Sequence, residues 1–126
     1  MVAPLTQPII ALVSDLIFES KIAATAKQVG VPVLIERRPE AVLDSLSEAR
    51  GLIVDMSVST GSALQLVRDA KAARPQRPVI AFLAHVEVEL AKQTRAAGAD
   101  EVLPRSEFTA RLPEILETLG ASARES

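Results

Sequence analysis

Charged side chains stand where apolar runs stop. Asp15 follows Ser14 after residues 9–13, Asp55 closes "GLIVD" with Ser57 two places later, and Arg105 follows residues 101–103. A carboxylate ending a stretch fit for a buried strand is either a helix-capping or loop-ordering group or the place where the chain does chemistry. Asp15 reads equally as the N-cap of a first helix or as a ligand-binding acid. Arg105 reads as a surface cation or as a strand-end guanidinium facing both acids in a structural ion pair. Ser57, Ser59, Thr60 and Ser62 read most simply as loop and cap residues, and His85, the lone histidine, as a solvated loop residue.

Whether these groups meet depends on the elements that carry them. Five runs rich in aliphatic or β-branched residues, at 9–13, 31–35, 52–54, 79–83 and 101–103, alternate with segments of helical periodicity. Phe18, Ile22, Ala26 and Val29 share one helix face closed by Gly30, and Pro39 is placed to open a helix with Val42, Leu43 and Leu46. Ala63, Leu66, Val67 and Ala70 mark a third helix, and Val86, Leu90, Thr94 and Ala97 a fourth closed by Gly98. Leu112, Ile115, Leu116 and Leu119 mark a fifth, with Pro113 in its first turn and Thr109 or a neighbour as cap.

Alternating strands and helices predict a parallel sheet with helices on both faces, and the continuous apolar strands agree with burial on both sides. In such a sheet ligands bind at the carboxyl ends of the strands where the strand order switches. With order 2-1-3-4-5, the first and third strands are neighbours and Asp15 and Asp55 converge.

The bulk composition narrows the function. The chain has 126 residues, 48% hydrophobic and 24% charged, with a formal charge of -2, which suits one globular domain over 1–126 with a frayed tail at 121–126. Mixed charges without a basic stripe predict no nucleic-acid partner, and no apolar segment reaches the length of a membrane span. Without cysteine and with one histidine, thiolate and histidine-rich metal centres are excluded, and a cytoplasmic location is expected. Three Phe and no Tyr or Trp leave an aliphatic core. With no GxGxxG, no phosphate-loop GK[ST] and no nucleophile paired with a base, an enzyme finds no support.

Three stretches carry a family resemblance: "AAGADEVLPRSEF" at 96–108, "RPVIAFLA" at 77–84 and "GLIVDMSVSTGSALQLVRDAKA" at 51–72. They resemble the receiver domain of bacterial response regulators (CheY-like), strongly from Gly51 to Phe108 and weakly in the first third. The resemblance implies a flavodoxin-like fold of the receiver type, a five-stranded parallel sheet in order 2-1-3-4-5 flanked by five helices. It places Asp55 at the phosphoacceptor, Asp15 at the second acid of a Mg²⁺-holding pair and Ser57 at a position whose backbone carbonyl is a metal ligand. Gly61 matches the glycine that opens the third helix.

The departures fall on the same edge. Ser14 stands where the first acid is expected, Leu83 replaces a Thr or Ser, and Arg105 replaces the family Lys. Val102 takes the switch aromatic position and Ser106 that of a cis-prolyl residue. Losing one carboxylate weakens Mg²⁺ without forbidding it. Losing the hydroxyl at 83 and the ring at 102 removes the readout that phosphorylation would drive. The resemblance therefore implies a degenerate receiver, or pseudo-receiver, that is not an enzyme and acts by protein–protein interaction in a two-component phosphorelay.

Its implied partners are a sensor kinase or a downstream effector. A homodimer through the helix-four, strand-five, helix-five face is a further expectation, with Val86, Val88, Leu90 and Val102 giving that face an apolar surface. Two alternatives stand beside it. One is a phosphorylatable, Mg²⁺-dependent receiver using Asp55. The other is a module phosphorylated on serine, since "LIVDMSVSTGSALQLV" faintly resembles anti-sigma-factor antagonists.

Overall fold

The computed structural model describes residues 7–58, 60–84 and 87–125. In chain order the elements are β1 (Ile9–Leu12), α1 (Leu16–Val29), β2 (Val33–Glu36), α2 (Pro39–Ser45) with a 3₁₀ turn at Leu46–Glu48, and β3 (Gly51–Asp55). They continue with α3 (Thr60–Ala73), β4 (Val79–Leu83), α4 (Val88–Ala96), β5 (Glu101–Pro104), α5 (Arg105–Ala110) and α6 (Leu112–Glu125). The five strands form one sheet in the order β2-β1-β3-β4-β5, every adjacent pair parallel.

The sheet divides the core into two layers because side chains alternate across each strand. Ile10, Leu12, Leu52, Val54, Val79 and Ala81 pack with α2, α3 and α4. Ile9, Ala11, Ile53, Ile80 and Phe82 pack with α1, α5 and α6. Each residue of β1, β3 and β4 is buried, whereas the edge strands β2 and β5 are largely half-buried, the pattern of a sheet covered on both faces.

Several sequence expectations shift. The second strand begins at Val33 rather than Val31, because the Val31 N–H donates to Ala26 O, beyond the left-handed cap Gly30 (φ 75°), and so belongs to the exit of α1. The third strand keeps Asp55 within its ladder, paired with Phe82, with Met56 N–H donating to Phe82 O. The expected five helices are six among the described residues. The extra one is α5 at Arg105–Ala110, ahead of the expected final helix and separated from it at Arg111, where Pro113 has no N–H to give Thr109 O and its ring crowds that carbonyl. Pro113 does lie in the first turn of α6, but Thr109 is no cap: it sits inside α5 with its hydroxyl donating to Arg105 O at 2.9 Å. The backbone of α6 runs to Glu125, past the expected start of the tail at Ala121.

Candidate functional site

Parallel neighbours end at the same edge, so the β1–β3 pairing in register Leu12↔Val54 brings the residues after both strands to one rim. Asp55 closes β3 and is 1% exposed. Its Oδ1 accepts from the Ser57 N–H at 3.0 Å and from the Ser57 hydroxyl at 2.6 Å, while Asp55 O accepts from Val58 N–H at 3.1 Å. These bonds fold the start of the β3–α3 loop back onto the carboxylate.

Asp15 sits outside α1 as its N-cap, with Oδ1 accepting from Ile17 N–H at 2.8 Å and Phe18 N–H at 3.2 Å. It satisfies two of the donors that a helix start leaves open. The capping role is therefore occupied by one oxygen, and the other faces the rim.

Arg105 opens α5 directly after β5 and reaches both acids. Its Nη2 lies 3.6 Å from Asp55 Oδ2, and its Nη1 lies 3.8 Å from Asp15 Oδ2. Both contacts exceed hydrogen-bond length, so attraction of charge rather than directed bonds holds the guanidinium there. Beneath it lies an aromatic floor, with Arg105 Cζ 5.2 Å from the Phe18 ring centre and 5.8 Å from that of Phe82. Phe82 stacks on Phe108 at 4.4 Å, and Phe18 lies 5.0 Å from Phe82 and 5.7 Å from Phe108. All three aromatic residues of the chain thus form one cluster under the cation.

Ser14 is exposed beside Asp15, and Leu83 is buried in the layer facing α2, α3 and α4. Val102 is half-buried against the same layer. Residues Ser59, His85 and Val86 lie outside the described residues. Leu83, Val88, Ala91, Val102, Leu103 and Pro104 line a groove of about 240 Å³ between α4 and β5, with Glu87, Lys92 and Arg95 at its margins. Leu90, expected on that surface, instead faces the core; Val88 is exposed.

The aromatic floor is what sequence reasoning missed. A usable hint was that Phe18, Phe82 and Phe108 fall in the first turn of α1, near the end of β4 and inside α5, the elements that lead to the rim.

Comparison with solved structures places this architecture. A CheY-like receiver domain protein from Methanospirillum hungatei JF-1 superposes with a TM-score of 0.79 at 19% identity, covering 95% of this chain and 98% of that one. A response regulator from Thermotoga maritima gives 0.75 at 17% identity, with 92% and 98% covered. The fold is the receiver fold. NtrX from Brucella abortus gives 0.77 at 17% identity, but the chain spans about a quarter of its length (26%), against 93% of this chain. No protein-family model matches the sequence. No curated protein matches it either.

In a receiver fold this rim is where the resemblance implies Mg²⁺. The residues present do not fit the ion while Arg105 holds its place. Among the described residues no group of three or more acidic, histidine or cysteine side chains is assembled for a metal. One Asp55 oxygen is engaged by Ser57 and the other faces the guanidinium. A dication at this rim would be repelled by the guanidinium and would compete with it for Asp15 and Asp55, so its binding is opposed while Arg105 stays. No helix among the described residues is long and apolar enough to cross a membrane.

Proposed function

We propose that the chain is a receiver-fold signalling module of two-component type, cytoplasmic, in which Asp55 serves as a paired structural anion rather than as a phosphoacceptor. The observation that carries this is the shared guanidinium: Arg105 stands against both acids at 3.6 and 3.8 Å and competes for the carboxylates that the resemblance assigns to a metal. With Leu83 and Val102 packed as aliphatic side chains in one layer, no hydroxyl or ring at those positions can follow a phosphoryl group. Output then comes from contacts with a partner protein, a sensor kinase or an effector.

The α4–β5 groove is the contact surface this reading favours, for a partner or for a second copy of the chain. It combines apolar Val88, Val102 and Pro104 with the cations Lys92 and Arg95 at its edge. Val88→Asp and Val102→Asp should weaken partner and oligomer contacts together, and unchanged contacts in both would remove this surface from the account.

A second reading, a phosphorylatable receiver, draws on the length of the Arg105 contacts: a guanidinium held without hydrogen bonds is able to turn outward. Incubation with acetyl phosphate and Mg²⁺, followed by intact-mass measurement, separates the two. The first reading expects no adduct; an acid-stable, base-labile phosphoryl adduct lost in Asp55→Asn establishes the second. Phosphate on a serine between Ser57 and Ser62 would point instead to the anti-sigma-antagonist type of module.

A further inference from the structure

The surroundings of Arg105 are those of a receptor for its own head group. A guanidinium is planar and weakly hydrated, so it lies flat on aromatic rings and takes carboxylates at its edges, which a compact ammonium does less well. The rim supplies each part: a floor of Phe18 and Phe82 at 5.2 and 5.8 Å from Cζ, and a carboxylate near each Nη. One wall, Asp55, is buried and fixed by Ser57; the other, Asp15, is fixed by the first turn of α1. Both walls therefore keep their positions independently of the cation.

Occupancy by Arg105 is loose and incomplete. Neither contact is a hydrogen bond, the Arg105 side chain is 40% exposed, and two carboxylates face one positive charge. An open cleft of about 800 Å³, lined by Ala84, Arg105, Ser106 and Thr109, gives the Arg105 side chain room to leave and solvent access to the place it vacates.

We propose that Asp15, Asp55, Phe18 and Phe82 form a binding site for an alkylguanidinium, filled in cis by Arg105 and open to a guanidinium in trans when Arg105 is displaced. The group in trans is either a free small guanidinium or the arginine side chain of a partner protein, and Arg105 is then an internal competitor. This rests on the reading of Asp55 as an unphosphorylated, paired carboxylate.

The test is rescue in trans. Arg105→Ala, or Arg105→Ser if the first does not fold, is titrated with millimolar n-propylguanidinium, and in parallel with n-propylammonium and with N-acetylarginine amide. Aromatic proton resonances report occupancy well, since the chain has three Phe and no Tyr or Trp. Saturable shifts of the Phe resonances are expected with propylguanidinium, with affinity at least about threefold above that for propylammonium. A melting midpoint raised by about 5 °C is expected when ligand stands about tenfold above Kd.

Wild type should respond more weakly, because Arg105 competes, and Asp15→Asn in the Arg105→Ala background should weaken binding. N-acetylarginine amide binding as propylguanidinium does supports an arginine of a partner as the source; its failure while propylguanidinium binds confines the site to small guanidinium ions. Equal response to both cations, or none, overturns the proposal. Intact mass after acetyl phosphate treatment keeps the two ideas apart: failed rescue without an adduct overturns the guanidinium site alone, whereas an adduct on Asp55 overturns both.

Discussion

Arg105 Nη2 lies 3.6 Å from Asp55 Oδ2, joining the guanidinium that opens α5 to the buried carboxylate that closes β3. The pair links two strands that are not neighbours, because β4 lies between them and supplies Phe82 to the floor below. Charge, aromatic packing and sheet order therefore agree on one arrangement of the rim.

Removing the cation should expose how much the rim depends on it. Arg105→Ala leaves Asp55 buried and near Asp15 without compensation, and should cost about 1–2 kcal/mol, below the figure for a fully buried pair because Arg105 is partly exposed. Arg105→Lys should cost less, since charge is kept and the planar stacking lost. Denaturant titration of the variants measures both.

Ser57 should depend on the Asp55 acceptor. Asp55→Asn retains an oxygen for the Ser57 N–H and hydroxyl, whereas Asp55→Ala leaves both without it and a void beneath the loop. The alanine variant should lose about 2–3 kcal/mol and the asparagine variant about half of that. Amide hydrogen exchange at Ser57 and Val58 should accelerate in the alanine variant much more than in the asparagine one.

Leu83→Thr restores a hydroxyl at the end of β4 but should not restore a switch. Leu83 is buried among apolar residues of the α2–α4 layer, so the change loses packing and buries a polar group, at about 1–3 kcal/mol. Thermal melts should show the loss, with no gain in an acetyl phosphate assay.

Two anchors away from the rim give independent checks on the fold. Asp100 Oδ2 accepts from Val79 N–H at 2.8 Å and from Lys71 Nζ at 2.9 Å, holding the start of β4 against α3, and Asp100→Ala should cost about 1–3 kcal/mol. Arg77 is buried with Nη1 donating to Leu46 O at 2.7 Å and Nε without a partner among the described residues; burial and then the neighbouring Arg74 lower its pKa. Arg77→Met, which keeps the bulk and removes the buried charge, should fall within about 1 kcal/mol of wild type in denaturant titration, and Arg77→Ala should cost more.

The alternation of apolar runs and helical faces made the parallel sheet legible, because β1, β3 and β4 carry unbroken aliphatic stretches that fit burial on both sides. The order 2-1-3-4-5 comes from the family resemblance, and with it Asp15, Asp55 and Arg105 fall on one edge. Contacts made in three dimensions were less legible. Val31 looks like a strand residue until its N–H is seen closing α1, and the short α5 lies in a segment that reads only as the approach to the cap of the final helix. The stack of Phe18, Phe82 and Phe108 joins residues from three separate elements, which no local pattern records.

The most direct measurement is a crystal structure of the protein grown with Mg²⁺ and soaked in excess of it. The account predicts the Arg105 guanidinium between Asp15 and Asp55, over the Phe18 and Phe82 rings, with no ion at the rim. A hydrated Mg²⁺ coordinated by Asp55, with Arg105 turned out into the cleft beside Ser106 and Thr109, would contradict it.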